Sequence, residues 1–356
     1  MLIDSVPAGA QRIPRIGRTD LARAKYDEGG IFVAGRGAEL EALRAMGARE
    51  PSLGRLYEGH FNGALLAALY GTQAQRERAH ADAEAGHLFG VWNTQDDDPV
   101  RIEQIRGRFR LSGAKTWASG ADTVTRALIT ARAADESVVM CLVPLDRVAV
   151  LVDPSAWRPL GMEDSNSYRV SFDGVELDTD DVIGRPGDYE RAPWFLGGAL
   201  RFVAVHAGIV ERLTGETLAF LAARGRASDP YQIARAGQMR VASRTAWQWV
   251  EAGAVAWRAY DAAPSPETAD RVVDTVDMAR VATERAALDV LELATRSVGA
   301  HGLVEPLPFA RLLRDLAMYL RQPAPDAVLA RVGATGLRAA SEARNLAIAD
   351  STGSSG

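Results

Sequence analysis

The segment SGAKTWASGADT sets a tryptophan, Trp117, two residues before a hydroxyl, Ser119, at the end of a strand-like run. In an extended strand, residues two apart share a face, so an indole plane and a hydroxyl would stand side by side. Such a pair can stack on and hydrogen-bond a flat heteroaromatic ligand. The same residues serve equally well as a core tryptophan and a turn-forming serine, and spacing alone favours that plainer reading. Other chemistries lack their signatures. The five histidines, His60, His80, His87, His206 and His301, have no metal-ligand spacing, and neither H-E-x-x-H nor a phosphate loop occurs, so no metal site is expected. G-x-S-x-G is missing too, since RLSGAK and WASGAD lack its first glycine. The one cysteine, Cys141, lies in SVVMCLVPL, where a small buried strand residue is the natural reading.

These residues need elements to position them. From residue 19 to about 85, apolar positions recur three and four apart in TDLARAKYDEGG, GAELEALRAMGA and HFNGALLAALYGTQAQRERAHADAEAG, which predicts a small set of helices over 1–87. From Leu88 the pattern changes to short β-branched or aromatic segments with DDDP, SG, ADE and DPS breaks, which predicts an antiparallel β-sandwich or barrel over 88–190. Helical periodicity returns at Trp194 in four segments, the last being PFARLLRDLAMYL. DPY and SPE are capped helix starts, so 191–350 reads as a four-helix bundle and 351–356 as a flexible tail. The fold class is therefore α+β. A net charge of -5 over 356 residues, with only Lys25 and Lys115 as lysines, argues against a nucleic-acid surface. With no signal-like N-terminus, the default expectation is a soluble cytoplasmic protein.

In that order, HLFGVWNTQ, RFRLSGAKTWASGADTVTRALITAR, RPLGMEDSNSYRVSFDGVEL, ALRFVAVHAG, RSVGAHGL and RLLRDLAMYL resemble the acyl-CoA dehydrogenase family of flavoproteins, from about Leu88 to Tyr319. The resemblance implies an FAD-dependent oxidoreductase acting on a CH–CH group of an acyl or acyl-thioester substrate. It implies that Thr94 bonds the flavin pyrimidine edge, lined by Val91 and Asn93, that Trp117 packs on the isoalloxazine, and that Ser119 donates to flavin N5. Arg224, with Tyr231 nearby, would meet the diphosphate of a neighbouring subunit's flavin, and Gly299 would admit its adenosine half. A homodimer or homotetramer built on the bundle and an electron-transfer partner are further implications, and Arg201 would support the site electrostatically.

The chain departs from that family where the proton must go. The family's catalytic glutamate falls at Pro323, and its minority position falls at about Leu200, beside Arg201. Neither residue accepts a proton, so the base is unidentified. Asp326 is the nearest carboxylate in sequence, with Glu211 and His206 along the Arg201 helix. DDDP at 96–99 replaces a Gly-x-Gly-Ser turn, and the N-terminal helical region is short by a few tens of residues. Two other functions follow from the missing base: a flavin-dependent monooxygenase-type reaction, which needs no carboxylate there, or a catalytically silent paralogue acting as a subunit or binding protein.

Overall fold

The computed structural model describes residues 36–304, 307–321 and 323–353. The segment TDLARAKYDEGG and the last three residues of the expected tail lie outside them. Among the described residues three helices come first: α1 (Arg36–Arg49), α2 (Pro51–Tyr70) and α3 (Gln73–Glu84). Glu50 caps α2 by accepting from Ser52 N, ahead of Pro51 in the first turn, and Thr72 and Gln75 form a reciprocal capping box on α3.

Ten strands follow: β1 (Phe89–Trp92), β2 (Arg101–Ile105), β3 (Arg108–Ser112), β4 (Ala114–Ala118), β5 (Arg126–Arg132), β6 (Val138–Pro144), β7 (Leu151–Asp153), β8 (Tyr168–Ser171), β9 (Glu176–Leu177) and β10 (Val182–Ile183). They form a seven-stranded sheet ordered β10-β6-β5-β2-β3-β9, with β1 also on β5, and a three-stranded sheet β4-β8-β7. Most pairs are antiparallel as expected, but β1 and β2 both run parallel to β5. β5 shows why its sequence, RALITAR, does not alternate. Ala127, Ile129 and Ala131 face the main core, while Leu128 faces a second core shared with Ala64, Ala67, Phe89 and Leu142 beneath α2 and α3. A strand buried on both faces needs apolar residues throughout.

Helices then resume: α4 (Trp194–Gly197), α5 (Leu200–Ala223), α6 (Pro230–Ala262), α7 (Pro266–Gly302), α8 (Phe309–Tyr319) and α9 (Pro325–Gly353). The RLLRDLAMYL segment forms the short α8, packed on α5, α7 and α2, and a further long helix, α9, follows it and packs on α7. The expected tail from 351 begins within α9, which runs to Gly353. The stretch Trp194–Ala223 is long and apolar enough to cross a membrane by composition, but 67% of an 18-residue apolar window within it is buried inside the protein, as befits a core helix.

Candidate functional site

β1 ends at Trp92, so Thr94 lies just beyond the strand on which the sequence placed it. The chain leaves the strand because Asn93 is held from inside the β-domain. Lys115 Nζ donates to Asn93 O at 3.2 Å and to Thr130 Oγ1 at 2.9 Å, and Thr130 Oγ1 donates to Asn93 Oδ1 at 2.7 Å. Thr116 N then donates to Thr94 O at 3.2 Å, which brings Asn93 and Thr94 alongside β4 and Trp117. Val91 does not join this rim; it packs on the core beneath α2. α2 approaches that closely because Gly63 faces Gly90, where a Cβ would lie 3.3 Å from the Gly90 carbonyl oxygen.

The shared face expected for Trp117 and Ser119 does not form. The pairing of β4 with β8 slips between Lys115 and Ala118, and Trp117 takes a left-handed φ of 55°. That inverts the local alternation. Trp117 turns outward, 49% exposed, with its ring edge-on to Trp157 at 5.7 Å, while Ser119 turns inward. The Ser119 hydroxyl lies 2.9 Å from Ser167 Oγ, itself 2.9 Å from Ser165 Oγ, in a buried row of three serines. Ser119 O accepts from Trp92 Nε1 at 2.9 Å. No residue type at 117 announces a left-handed tryptophan, so the sequence could not have shown this.

A second polar group, missed in the sequence, joins α2 to the bundle. Arg55 pairs with Glu58, Asn62 donates to Glu58, and Arg201 Nη1 donates to Asn62 Oδ1 at 3.0 Å. Arg201 also forms an ion pair with Glu39 of α1. The support expected from Arg201 is thus a charge already neutralised by Glu39. Burial works against the Arg55 charge, but Glu58, with Tyr319 and Tyr189 nearby, outweighs it and holds that guanidinium above its ordinary pKa. Burial, reinforced by Glu58, pushes the Tyr319 phenol far up, so it remains an O–H donor. The Tyr319 hydroxyl and Arg55 Nε are both buried without a hydrogen-bond partner among the described residues. The sequence hint was the helical spacing of Arg55, Glu58 and Asn62 within an otherwise apolar helix.

His206 lies edge-on to the Tyr319 ring, with centroids 4.4 Å apart. Burial, with Arg280 adding to it, pulls its pKa down to about 3, so the ring is neutral, and its Nε2 has no hydrogen-bond partner among the described residues. A cavity of about 20 Å³ bounded by His206, Phe202, Arg280 and Val328 is large enough for about one water.

The base stays missing. Leu200 is a buried apolar side chain, and the Pro323 carbonyl accepts from Arg280 Nη2 at 2.6 Å. Pro325 opens α9 and leaves Asp326 exposed in its first turn, so Asp326 faces solvent rather than a site. Glu211 is gripped by Arg44 at 2.7 and 3.0 Å. Proline followed by Asp326 was the helix-start signal in this stretch.

Arg224, Gly299 and Tyr231 all lie on the C-terminal helices. Arg224 ends α5, contacts His301 and covers Phe220 at 5.1 Å. Gly299, with φ 62° and ψ -172°, breaks α7 two residues before His301, a conformation open in practice only to glycine. Arg224 and the α7 kink therefore meet through His301, whereas Tyr231, 75% exposed, stands in the first turn of α6.

No protein-family model matches the chain. Among curated proteins it is 23% identical to a dibenzothiophene monooxygenase of Rhodococcus erythropolis over 314 residues, 79% of this chain and 75% of that protein. It is 26% identical to a glutaryl-CoA dehydrogenase of Desulfococcus multivorans over 268 residues, 70% of this chain and 67% of that protein. Among solved structures it superposes on TdsC from Paenibacillus sp. A11-2 in complex with FMN and indole, with TM-score 0.74 and 21% identity over 83% of this chain and 82% of that one. Methanesulfinate monooxygenase MsuC from Pseudomonas fluorescens gives TM-score 0.78 and 19% identity over 86% and 84% of the two chains.

Proposed function

We propose that this chain, whose fold is that of the acyl-CoA dehydrogenase-like flavoproteins, is a flavin-dependent monooxygenase rather than an acyl-CoA dehydrogenase. The observation that carries the reading is at the position of the base. A dehydrogenase must take a proton next to the thioester carbonyl, and the acceptor must lie within reach of it. Here that position is Pro323, fixed by Arg280, and the alternative position is the buried Leu200. Oxygen transfer needs no carboxylate there, and the dibenzothiophene and methanesulfinate relatives named above are monooxygenases.

The β-domain rim fits a flavin ring. Trp117 offers a half-exposed indole face, and Asn93 and Thr94 run beside it. When bound, reduced flavin would supply the two electrons with which dioxygen is split between an oxygenated product and water. The cofactor is read as FMN, the form TdsC holds, in place of the FAD that the sequence resemblance implies; an exposed arginine such as Arg224 suits one phosphate as well as two. The chain's own part is to wall the ring with Trp117. Two buried donors without a described partner, the Tyr319 hydroxyl and Arg55 Nε, are the groups we assign to an oxygen that gains negative charge. Asp97 and Asp98, exposed beside the rim, disfavour a CoA phosphate there.

The test uses the purified protein with FMN reduced by dithionite, then ¹⁸O₂ with indole, dibenzothiophene and methanesulfinate as a substrate panel. The expected result is ¹⁸O in at least one product, with no acyl-CoA bleaching the bound flavin. Flavin reduction by an acyl-CoA would reverse the assignment to a dehydrogenase. A protein that binds neither FMN nor FAD would be the silent paralogue.

A further inference from the structure

Lys115 is fully buried, with 0% exposure, among the apolar residues of the β-domain core. It is one of only two lysines in the chain. Its amine meets two acceptors, Asn93 O at 3.2 Å and Thr130 Oγ1 at 2.9 Å, and the Thr130 hydrogen goes on to Asn93 Oδ1 at 2.7 Å. An ammonium brings three N–H donors and wants a counter-charge, whereas an uncharged amine brings two. The acceptor count matches the uncharged form. Among the described residues, the charged and titratable neighbours give no counter-ion. Arg132 on β5 repels a positive charge. Cys141 on β6 has its thiol pushed up to about 12 by burial and stays protonated. Asp181, the carboxylate acting on Cys141, is paired with Arg78 at 3.4 Å.

We infer that Lys115 acts as an uncharged amine, a positioning residue that fixes the two oxygens of Asn93, one directly and one through Thr130, and so sets the Asn93–Thr94 rim against which the flavin lies. The inference rests on the flavin reading above. Its consequence is a pH dependence. Burial lowers the Lys115 pKa to about 7, so the arrangement is complete above that pH. As the pH falls through it, the third N–H must find an acceptor, and Asn93 is pulled from place or water enters.

With two lysines in the chain, ¹³Cε-lysine NMR on the flavin-free protein resolves the question directly. One signal should titrate in the ordinary lysine range, and the other, absent in Lys115→Met, near neutral pH. FMN titrations at pH 6 and 8 then read the positioning role. Wild type should bind more weakly at pH 6. Lys115→Met should bind about tenfold more weakly than wild type at pH 8, the scale of one lost hydrogen bond, and show no difference between the two pH values. Thr130→Val, which removes the relay and leaves the amine, should also weaken binding, and its melting curve guards against reading misfolding as a positioning effect. A Lys115 signal in the ordinary range, or a Lys115→Met protein with wild-type affinity and pH profile, overturns the inference. If wild type binds no flavin at any pH, the flavin reading fails and the positioning role with it, while the NMR titration still decides the charge of the amine.

Discussion

Trp117 holds a backbone conformation that a bulky side chain adopts only when its surroundings enforce it. Such a φ costs about 1–3 kcal/mol, and the edge-on contact with Trp157 returns only about 0.5–1.5 kcal/mol. The buried half of the indole, on the order of 100 Å², contributes about 2.5 kcal/mol more. Glycine accepts the same φ without strain but loses about 1 kcal/mol of chain entropy in a strand. Relief of the strain offsets only part of these losses, and Trp117→Gly should destabilise the flavin-free protein by about 1–3 kcal/mol in urea denaturation. FMN affinity should fall by about tenfold or more, since an aromatic wall of the site has gone. A variant that lost several kcal/mol of stability while binding FMN normally would make Trp117 a core residue after all.

At the scale of elements, two stretches that the sequence offered separately, LGM at 160–162 and RLLRD at 311–315, turn out to be the two sides of one contact. Asp315 Oδ1 accepts from Met162 N at 2.6 Å, and Arg311 bridges Glu50 at 2.7 Å and Asp164 at 2.9 Å. The loop can lie this close to α8 only because residue 161 has no side chain: a Cβ there would stand 2.3 Å from Arg314 O. Gly161→Ala must therefore push the loop off α8, at a cost of about 2–3 kcal/mol, the upper part of the range for overpacking. Because the same loop carries Ser165 and Ser167 up to Ser119, FMN affinity should drop with stability. Urea denaturation and FMN titration on one preparation would read both, and unchanged stability would show that the loop accommodates the methyl. This contact marks the limit of what was legible. Helix starts such as Asp229 before Pro230, strand-like runs and turn residues are local signals, and they fixed the order of the elements. Register slips, the two-faced burial of β5 and the meeting of residue 161 with residue 314 depend on partners far along the chain. α9 was missed for a different reason: the four helices were counted as complete at PFARLLRDLAMYL, although Pro325 opens a further one. Of the candidate site, Trp117, Asn93 and Thr94 were proposed through the family resemblance, while the orientation of Ser119 and the Arg55–Glu58–Asn62–Arg201 array were not legible.

For the whole molecule, the outer face of α6 and α7 bears on how many chains make a working unit. A groove of about 890 Å³ runs between them, lined by Ala234, Gly237, Val241, Ala282, Ala286 and Leu293. Val241 is 68% exposed, and Ile233 and Leu288 are exposed too. The charges along it cancel within the helix, Arg285 on Asp289 at 2.9 Å and Arg296 on Glu292 at 3.2 Å. A neutral, small-residue groove can meet its own copy without like-charge repulsion, which is what a twofold interface requires. The same two helices carry Tyr231 at the start of α6 and the Gly299 kink near the end of α7, beside Arg224. We expect wild type to sediment as a dimer or larger assembly. Val241→Glu, which sets an unpaired carboxylate on each side of a twofold interface, should shift it toward monomer at micromolar concentration. If Arg224 reaches the flavin of the neighbouring chain, as the resemblance implies, FMN affinity should fall in step with dissociation. A monomeric variant that keeps full FMN affinity would instead place the whole flavin site within one chain, and a wild type that is already monomeric would remove the interface altogether.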